Sequence, residues 1–422
     1  MNVIDFKMKN PLVGRSILLS TNLKKKTNIL FLSHSSALAG AERSLLALLR
    51  GLNRNRFEPL VIVPSRGLLY ERIVSLGIRV VEYPIQRWIA FYTEFGWWHF
   101  KRCFGQLALR VRFVSHLIKK ENIDIVYTNT ITCIDGALAA KLCRIPHIWH
   151  IHEILQKNTS LKSYLPFFLV RFLVINLSGK IIFVSKAAQN KLMLKKRYID
   201  QNRTCVVYNG LDIDSFLMFD QFIDNDRYPL QPLGVEEGTK VVACIGTLIE
   251  IKGQADFIEA AGIVISKFKN VVFLVIGSGD NAYLDKLKCL SRKLGLENKV
   301  FFLGFQKDIV PYYRCIDLLV SSSIVESLGR TLIEAMAASK PVVATRIDGN
   351  KEIVADGETG FLVAPKSPID MALAIIKLLS DSNLAEKMGK LGNLRASRLF
   401  NQKNYITSIE DAIAEASKGR NV

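Results

Sequence analysis

The chain has 422 residues, 49% of them hydrophobic, and a formal charge of +19. That much apolar sequence excludes a disordered chain and suffices for two domains, each with its own core. Seven scattered cysteines, odd in number and without a C-x-x-C pair, argue against a disulfide framework and for thiols kept reduced in a cytoplasmic setting.

Residues 1–26 carry six Lys/Arg against one Asp, with Arg15 interrupting the only apolar stretch, and read as a basic leader rather than a secretory signal. From there short apolar strands alternate with longer helical patterns, the signature of βαβ units. In the first half strands are predicted at residues 28–33, 59–64, 79–83, 123–127, 147–151 and 180–184, with helices at 41–52, 66–76, 104–120 and 133–141. Residues 36–42, Ser-Ala-Leu-Ala-Gly-Ala-Glu, put Gly40 where a strand turns into a helix whose free N–H groups can approach a ligand. Residues 87–104 interleave three Trp, four Phe and a Tyr with basic residues, and residues 164–177 are apolar but shorter than the roughly 20 residues a spanning helix needs. Each of these two segments reads either as interfacial membrane contact or as a core helix.

Residues 146–153, Pro-His-Ile-Trp-His-Ile-His-Glu, place half of the six histidines at one strand end, with His150 and His152 on one face. A structural zinc wants four N/S ligands from more than one element, and no partner cluster is visible, so no metal is assigned. After residue 206 the pattern breaks. Residues 209–238 read as a linker that opens on an Asn-Gly turn and contains the D-x-D string Asp212 and Asp214. The expected division is a first domain over 27–208, a second over 239–395, and a C-terminal helix over 396–422 that packs back onto the first.

Charge is split unevenly along this division. Residues 1–205 hold 32 Lys/Arg against 11 Asp/Glu, net +21, and the remainder hold 25 against 27, net −2. Such a field favours anionic partners, and without zinc spacing, a basic region running into heptads or a ribonucleoprotein signature, nucleic acid is disfavoured and an anionic membrane surface preferred.

In the second half, residues 316–320 read as a buried strand, Ser321–Ser323 and Glu326–Arg330 as a loop, and the run from Leu332 as a helix carrying Glu334. Strand, small-residue loop and helix start form an anion site, in which amides near Gly329 and Arg330 can hold a phosphate. Two carboxylates beside a phosphate are better employed accepting hydrogen bonds from sugar hydroxyls, which points to a nucleotide sugar. Gly246 to Gly253 forms another strand-end loop, with Thr247 and Lys252 in it, and Gly304 ends the apolar run that starts at Lys299.

Glu326 and Glu334 resemble the E-x7-E signature of the retaining family-4 glycosyltransferases, which have two facing Rossmann-like domains in the GT-B architecture. The resemblance runs from about residue 28 to about 395, with six motifs in the family's order. It implies an α/β fold of two Rossmann-like domains facing an interdomain cleft, and metal-free transfer with retention from a UDP- or GDP-linked sugar to a lipid-linked or glycan acceptor. By position, His152 would reach the transferring sugar, Lys252 the diphosphate, Glu334 the ribose and Glu326 the sugar, with Gly40, Gly246, Gly304 and Gly329 lining the donor. Thr247 stands where the family carries Arg, and Ala39 where it carries the first glycine of its first-domain loop. A catalytically silent nucleotide-sugar-binding scaffold and a non-hydrolysing sugar-nucleotide epimerase are the other readings. The expected place is the cytoplasm, peripheral on the inner face of the membrane.

Overall fold

Continuous apolar runs such as Ile29–Leu32 and Val271–Ile276 need cover on both faces, and the helices between them supply it, so each half of the chain builds a parallel sheet. The protein's structure, a computed structural model, describes residues 26–91, 95–155, 161–193, 201–217 and 228–418. The basic leader lies, but for Lys26, outside the described residues.

The first lobe contains β1 (Thr27–Ser33), β2 (Phe57–Val63), β3 (Arg79–Glu82), β4 (Ile89–Phe91), β5 (Ile125–Asn129), β6 (His147–Ile151), β7 (Leu161–Ser163), β8 (Lys180–Phe183) and β9 (Thr204–Val206). Seven of them form one parallel sheet in the order β3-β2-β1-β5-β6-β8-β9, while β4 and β7 pair antiparallel beside it. The second lobe contains β10 (Lys240–Ile245), β11 (Val271–Ile276), β12 (Val300–Gly304), β13 (Leu318–Ser321), β14 (Val342–Thr345) and β15 (Gly360–Val363), parallel in the order β12-β11-β10-β13-β14-β15. Strand order reverses beside β1 and beside β10. Loops leaving β1 and β5 in one lobe, and β10 and β13 in the other, therefore diverge and open a crevice at the strands' carboxyl ends, where such sheets bind ligands.

The helix predicted over 104–120 is Leu107–Lys120, and a further helix, Trp97–Gly105, precedes it; the Arg110 guanidinium donates back to the carbonyls of Arg102 (3.3 Å) and Cys103 (2.8 Å) and so stops that earlier one. Arg110 is itself buried and held by Asp135 at 2.5 Å. The segment read as an interfacial or core helix is the helix Phe167–Leu177, with Val170 and Val174 buried and Phe168 and Phe172 exposed. Among the described residues no helix is long and apolar enough to cross a membrane.

Helix Ser382–Leu399 packs on the second lobe, and helix Gln402–Lys418 crosses back to the first, burying Tyr405, Ile409 and Ile413. Ile406 lies against Gly51, so close that a Cβ there would sit 2.1 Å from its methyl. The two crossings run side by side: the Leu211 amide donates to Phe400 (2.7 Å) and the Gln402 amide to Leu211 (3.0 Å).

Candidate active site

On the second-lobe wall the loop leaving β10 carries Lys252, and the loop leaving β13 carries Glu326. Their backbones are stitched together: the Ile324 amide donates to Ile251 (2.8 Å) and the Ser322 hydroxyl to the Lys252 carbonyl (2.9 Å). Gly253 makes the approach possible. It has φ +65°, and a Cβ would meet the Ser322 carbonyl at 2.2 Å. The stitching sets Lys252 Nζ directly against Glu326 Oε2, both side chains mostly buried.

Helix Arg330–Ala337 starts at Gly329 and carries the second acid. Glu334 is buried and both oxygens are engaged, one by Arg330 Nε at 2.8 Å and the other by the Tyr313 hydroxyl at 2.9 Å. Burial, then the Glu334 carboxylate, pushes the Tyr313 phenol well up against the opposing charges of Arg330 and Arg43. Gly246 and Gly304 close β10 and β12 at the same edge of the sheet, joined through Gly277, whose amide donates to Gly304 and whose missing side chain leaves room for the Gly246 carbonyl. Thr247 is exposed and puts no cation at the position where the family has Arg; its carbonyl accepts from Gln254.

The first-lobe wall is built around Thr130, which leaves β5 with φ +99°, a value that for a β-branched residue costs on the order of 1–3 kcal/mol. Two fully buried indoles hold the loop in place: Trp149 Nε1 donates to the Thr130 carbonyl and Trp88 Nε1 to the Ile131 carbonyl, each at 2.7 Å. The Thr130 amide donates to His150 (2.8 Å), and its hydroxyl lies 3.2 Å from His34 Nδ1. His34 Nε2 is 3.6 Å from Glu42 Oε1, and His152 Nε2 is 3.1 Å from Asn129 Oδ1. Glu153 Oε2 accepts from the amides of Ile131 and His152.

These groups are held away from their charged forms. Burial, with the Arg87 charge adding to it, lowers His34 to about 3, and burial alone lowers His152 to about 3. Burial likewise lifts Glu42 and Glu153 to about 7, tempered at Glu153 by the amides of Ile131 and His152 that its carboxylate accepts from. The histidines of this wall are thus neutral imidazoles, and its two acids give up their protons only near pH 7.

The walls touch at one edge. Ser327 Oγ donates to the His152 carbonyl at 2.6 Å, and a crevice of about 190 Å³ is lined by Ile154 from the first lobe with Glu326, Arg346 and Asp348 from the second. Beside it, Glu352 of helix Asp348–Ile353 caps helix Lys186–Met193 of the other lobe, accepting from the amides of Lys186 (2.9 Å) and Ala187 (2.7 Å) and from the Tyr208 hydroxyl (2.9 Å).

Of the residues expected to act, Lys252 and Glu326 are in contact, Arg330 and Glu334 follow one helical turn on, and His152 is joined to the group through Ser327. Gly40 is exposed at the start of helix Gly40–Gly51, with open space beside it. Asp212 and Asp214 line a rear pocket with Asn401 and Lys403, away from this group. His34, Ser327 and Tyr313 carry no spacing signal in the sequence.

Residues 38–215 match the profile of Glycosyltransferase Family 4, and residues 230–395 that of Glycosyl transferases group 1. Together these segments take in most of the chain. The chain belongs to the group 1 glycosyltransferases. Within that family it is 33% identical over 198 residues to a D-inositol 3-phosphate glycosyltransferase of Corynebacterium glutamicum, covering 45% of this chain and 47% of that relative. An Escherichia coli UDP-Gal:alpha-D-GlcNAc-diphosphoundecaprenol alpha-1,3-galactosyltransferase is 25% identical over 301 residues, 70% of this chain and 76% of that one. The crystal structure of Anabaena HepE in complex with UDP-glucose superposes with a TM-score of 0.77 at 27% identity, covering 92% of this chain and 99% of that one. The group 1 glycosyltransferase fold thus accounts for both sheets and the cleft between them.

Proposed function

We propose that the protein transfers a hexose from a UDP- or GDP-linked donor to a hydroxyl of a membrane-associated, lipid-linked or glycan acceptor, with retention of configuration and without a metal. The observation that carries this reading is the contact of Lys252 with Glu326 at the switch point of the second sheet, beside the amides that open helix Arg330–Ala337. A lysine and free helix-start amides answer the charge that builds on a departing diphosphate, the main electrostatic demand of breaking a sugar–phosphate bond. Once a phosphate takes the lysine, Glu326 is released to accept from sugar hydroxyls. His152 lies across the edge contact, on the side of the reacting sugar, and in a same-face displacement the leaving phosphate takes the acceptor's proton, so no protein base is required. HepE, with its UDP-glucose complex, supports the donor class, and the E. coli relative's diphosphoundecaprenol substrate supports a lipid-linked acceptor.

Calorimetry with UDP- and GDP-sugars tests the donor. Heat of association is expected with one of these classes, and none with either would end the reading. Glu326→Ala should leave nucleotide affinity within a few-fold and lower kcat by about a hundredfold or more; equal losses in both would remove its assigned role. Thr247 favours a second reading, a silent donor-binding scaffold, in which binding survives but neither transfer nor donor hydrolysis is seen.

A further inference from the structure

A cleft of about 1040 Å³ opens on the first lobe at the carboxyl ends of β1 and β2, between the segment after β3 and helix Trp97–Gly105. It is distinct from the Lys252–Glu326 group and larger than the crevice there. Arg87, Lys101 and Arg102 line it, and no carboxylate does among the described residues. Arg102 Nε is fixed by the Gln86 side chain at 3.0 Å, which orients the guanidinium fork. Lys101 Nζ sits 5.6 and 5.9 Å over the rings of Trp97 and Trp98. At the floor is His34, whose depressed protonation reflects, after burial, the charge of Arg87 and then the neighbouring His152. The floor of this cleft is therefore continuous with the buried polar groups next to the reacting sugar in the proposed function.

Three cations converging on a concave space, two of them with planar forks, match a multiply charged oxyanion better than a neutral sugar or a single carboxylate. The volume is at the upper end for small-molecule sites and exceeds what one phosphate fills. The rim supplies an apolar continuation: Trp97 and Trp98 are 65% and 81% exposed, and Phe95 stacks on Tyr164 beside them at 4.2 Å. Exposed indoles flanked by Lys101 and Lys162 form a surface that accepts a chain leaving the pocket.

We infer that this cleft binds a phosphate or diphosphate ester borne by the sugar acceptor, with Arg87, Lys101 and Arg102 taking the anion and Trp97 and Trp98 the apolar part beyond it. The inference rests on the proposed function for the word acceptor; the anion site itself stands on the cleft. The same chemistry is found in a lipid-linked diphosphate and in a soluble sugar phosphate.

Titration of the full chain with farnesyl diphosphate, farnesol, glucose 1-phosphate and inorganic pyrophosphate, followed by tryptophan fluorescence, tests it. UDP and GDP titrated by calorimetry form a separate arm. Farnesyl diphosphate should bind at least about tenfold more tightly than farnesol, and Lys101→Gln/Arg102→Gln should weaken it by about tenfold or more while leaving UDP or GDP binding unchanged. Both positions lie on the cleft surface, and an unchanged nucleotide arm reports that the variant is folded. Competition by glucose 1-phosphate or pyrophosphate as strong as by farnesyl diphosphate supports the site and assigns it a soluble ester; weak competition supports it and assigns a lipid. Equal affinity for farnesol and its diphosphate, or an affinity that ignores the two substitutions, overturns it. So does a variant that loses only its binding to anionic vesicles, which would make the cations a membrane patch. Failure of the nucleotide arm in the wild type strikes the donor reading and leaves the anion result to be read by itself.

Discussion

On the second-lobe wall of the cleft the charged side chains meet opposite charges, Lys252 with Glu326 and Arg330 with Glu334. On the first-lobe wall His34, Glu42, His152 and Glu153 are held away from their charged forms. The difference follows from what each wall is proposed to hold. A diphosphate needs fixed positive charge against it, whereas a hydroxyl at the moment of reaction is better met by neutral groups that can donate or accept without a large change in solvation.

The strongest way to break the comparison is to remove the fixed charge. Lys252→Met should lower kcat by about 10²–10³-fold, the loss expected when one stabiliser of a departing anion is removed. Steady-state kinetics with the donor found by calorimetry reads it, and a loss confined to KM would show that the lysine binds ground and transition states alike.

Next in size is the neutral wall. Glu42 titrates near 7 in the fold against 4.5 in the open chain, so the folded protein holds the extra proton between those values. Its contribution is fully present below pH 4.5 and is lost as pH rises through 7, about 3 kcal/mol in all. Glu42→Gln cannot ionise. Relative to the wild type it should therefore gain stability between pH 5 and 8 in urea melts, and a parallel pH dependence of the two proteins would show that Glu42 is not buried as a neutral acid.

The bridge between the walls ranks third. Glu352→Ala removes the cap on helix Lys186–Met193 and should cost about 1–2 kcal/mol in thermal melts. Because the two lobes share that carboxylate, KM for the donor should rise with it; a change in melting alone would make the cap a purely structural element. Smallest is the outer face of the first lobe. Trp97→Ser/Trp98→Ser should weaken pull-down on anionic liposomes several-fold, as expected for two exposed indoles, and unchanged binding would remove the aromatic anchor.

How far the sequence went depends on how local each signal is. Most strands of the two sheets, and the places of Lys252 and Glu326 in strand-end loops, were readable because apolar runs, glycines and carboxylates fall within a strand and the turn after it; the short edge strand β9 and the contact of Lys252 with Glu326 were not. The end of the first helix of residues 97–120 was not, since its stop comes from Arg110, whose own position depends on Asp135 across the lobe. Nor was the strain at Thr130, which is held by indoles from β6 and from the segment ahead of β4. Nor was the role of Glu352, whose partners Lys186 and Ala187 lie in the other lobe, where no periodicity points to it. The cleft cations come from positions 87, 101 and 102, separated by strand β4 and joined only by the fold.

The contact of Lys252 with Glu326 carries one more implication. A lysine that already has a carboxylate at its side offers little to a passing anion, because any newcomer must first outbid a tethered rival. Admission then works as a contest between anions: a ligand with a single weak charge gains nothing by entering, while one carrying two adjoining phosphates can claim the lysine and, in the same move, set the displaced acid free to grip the sugar attached behind them.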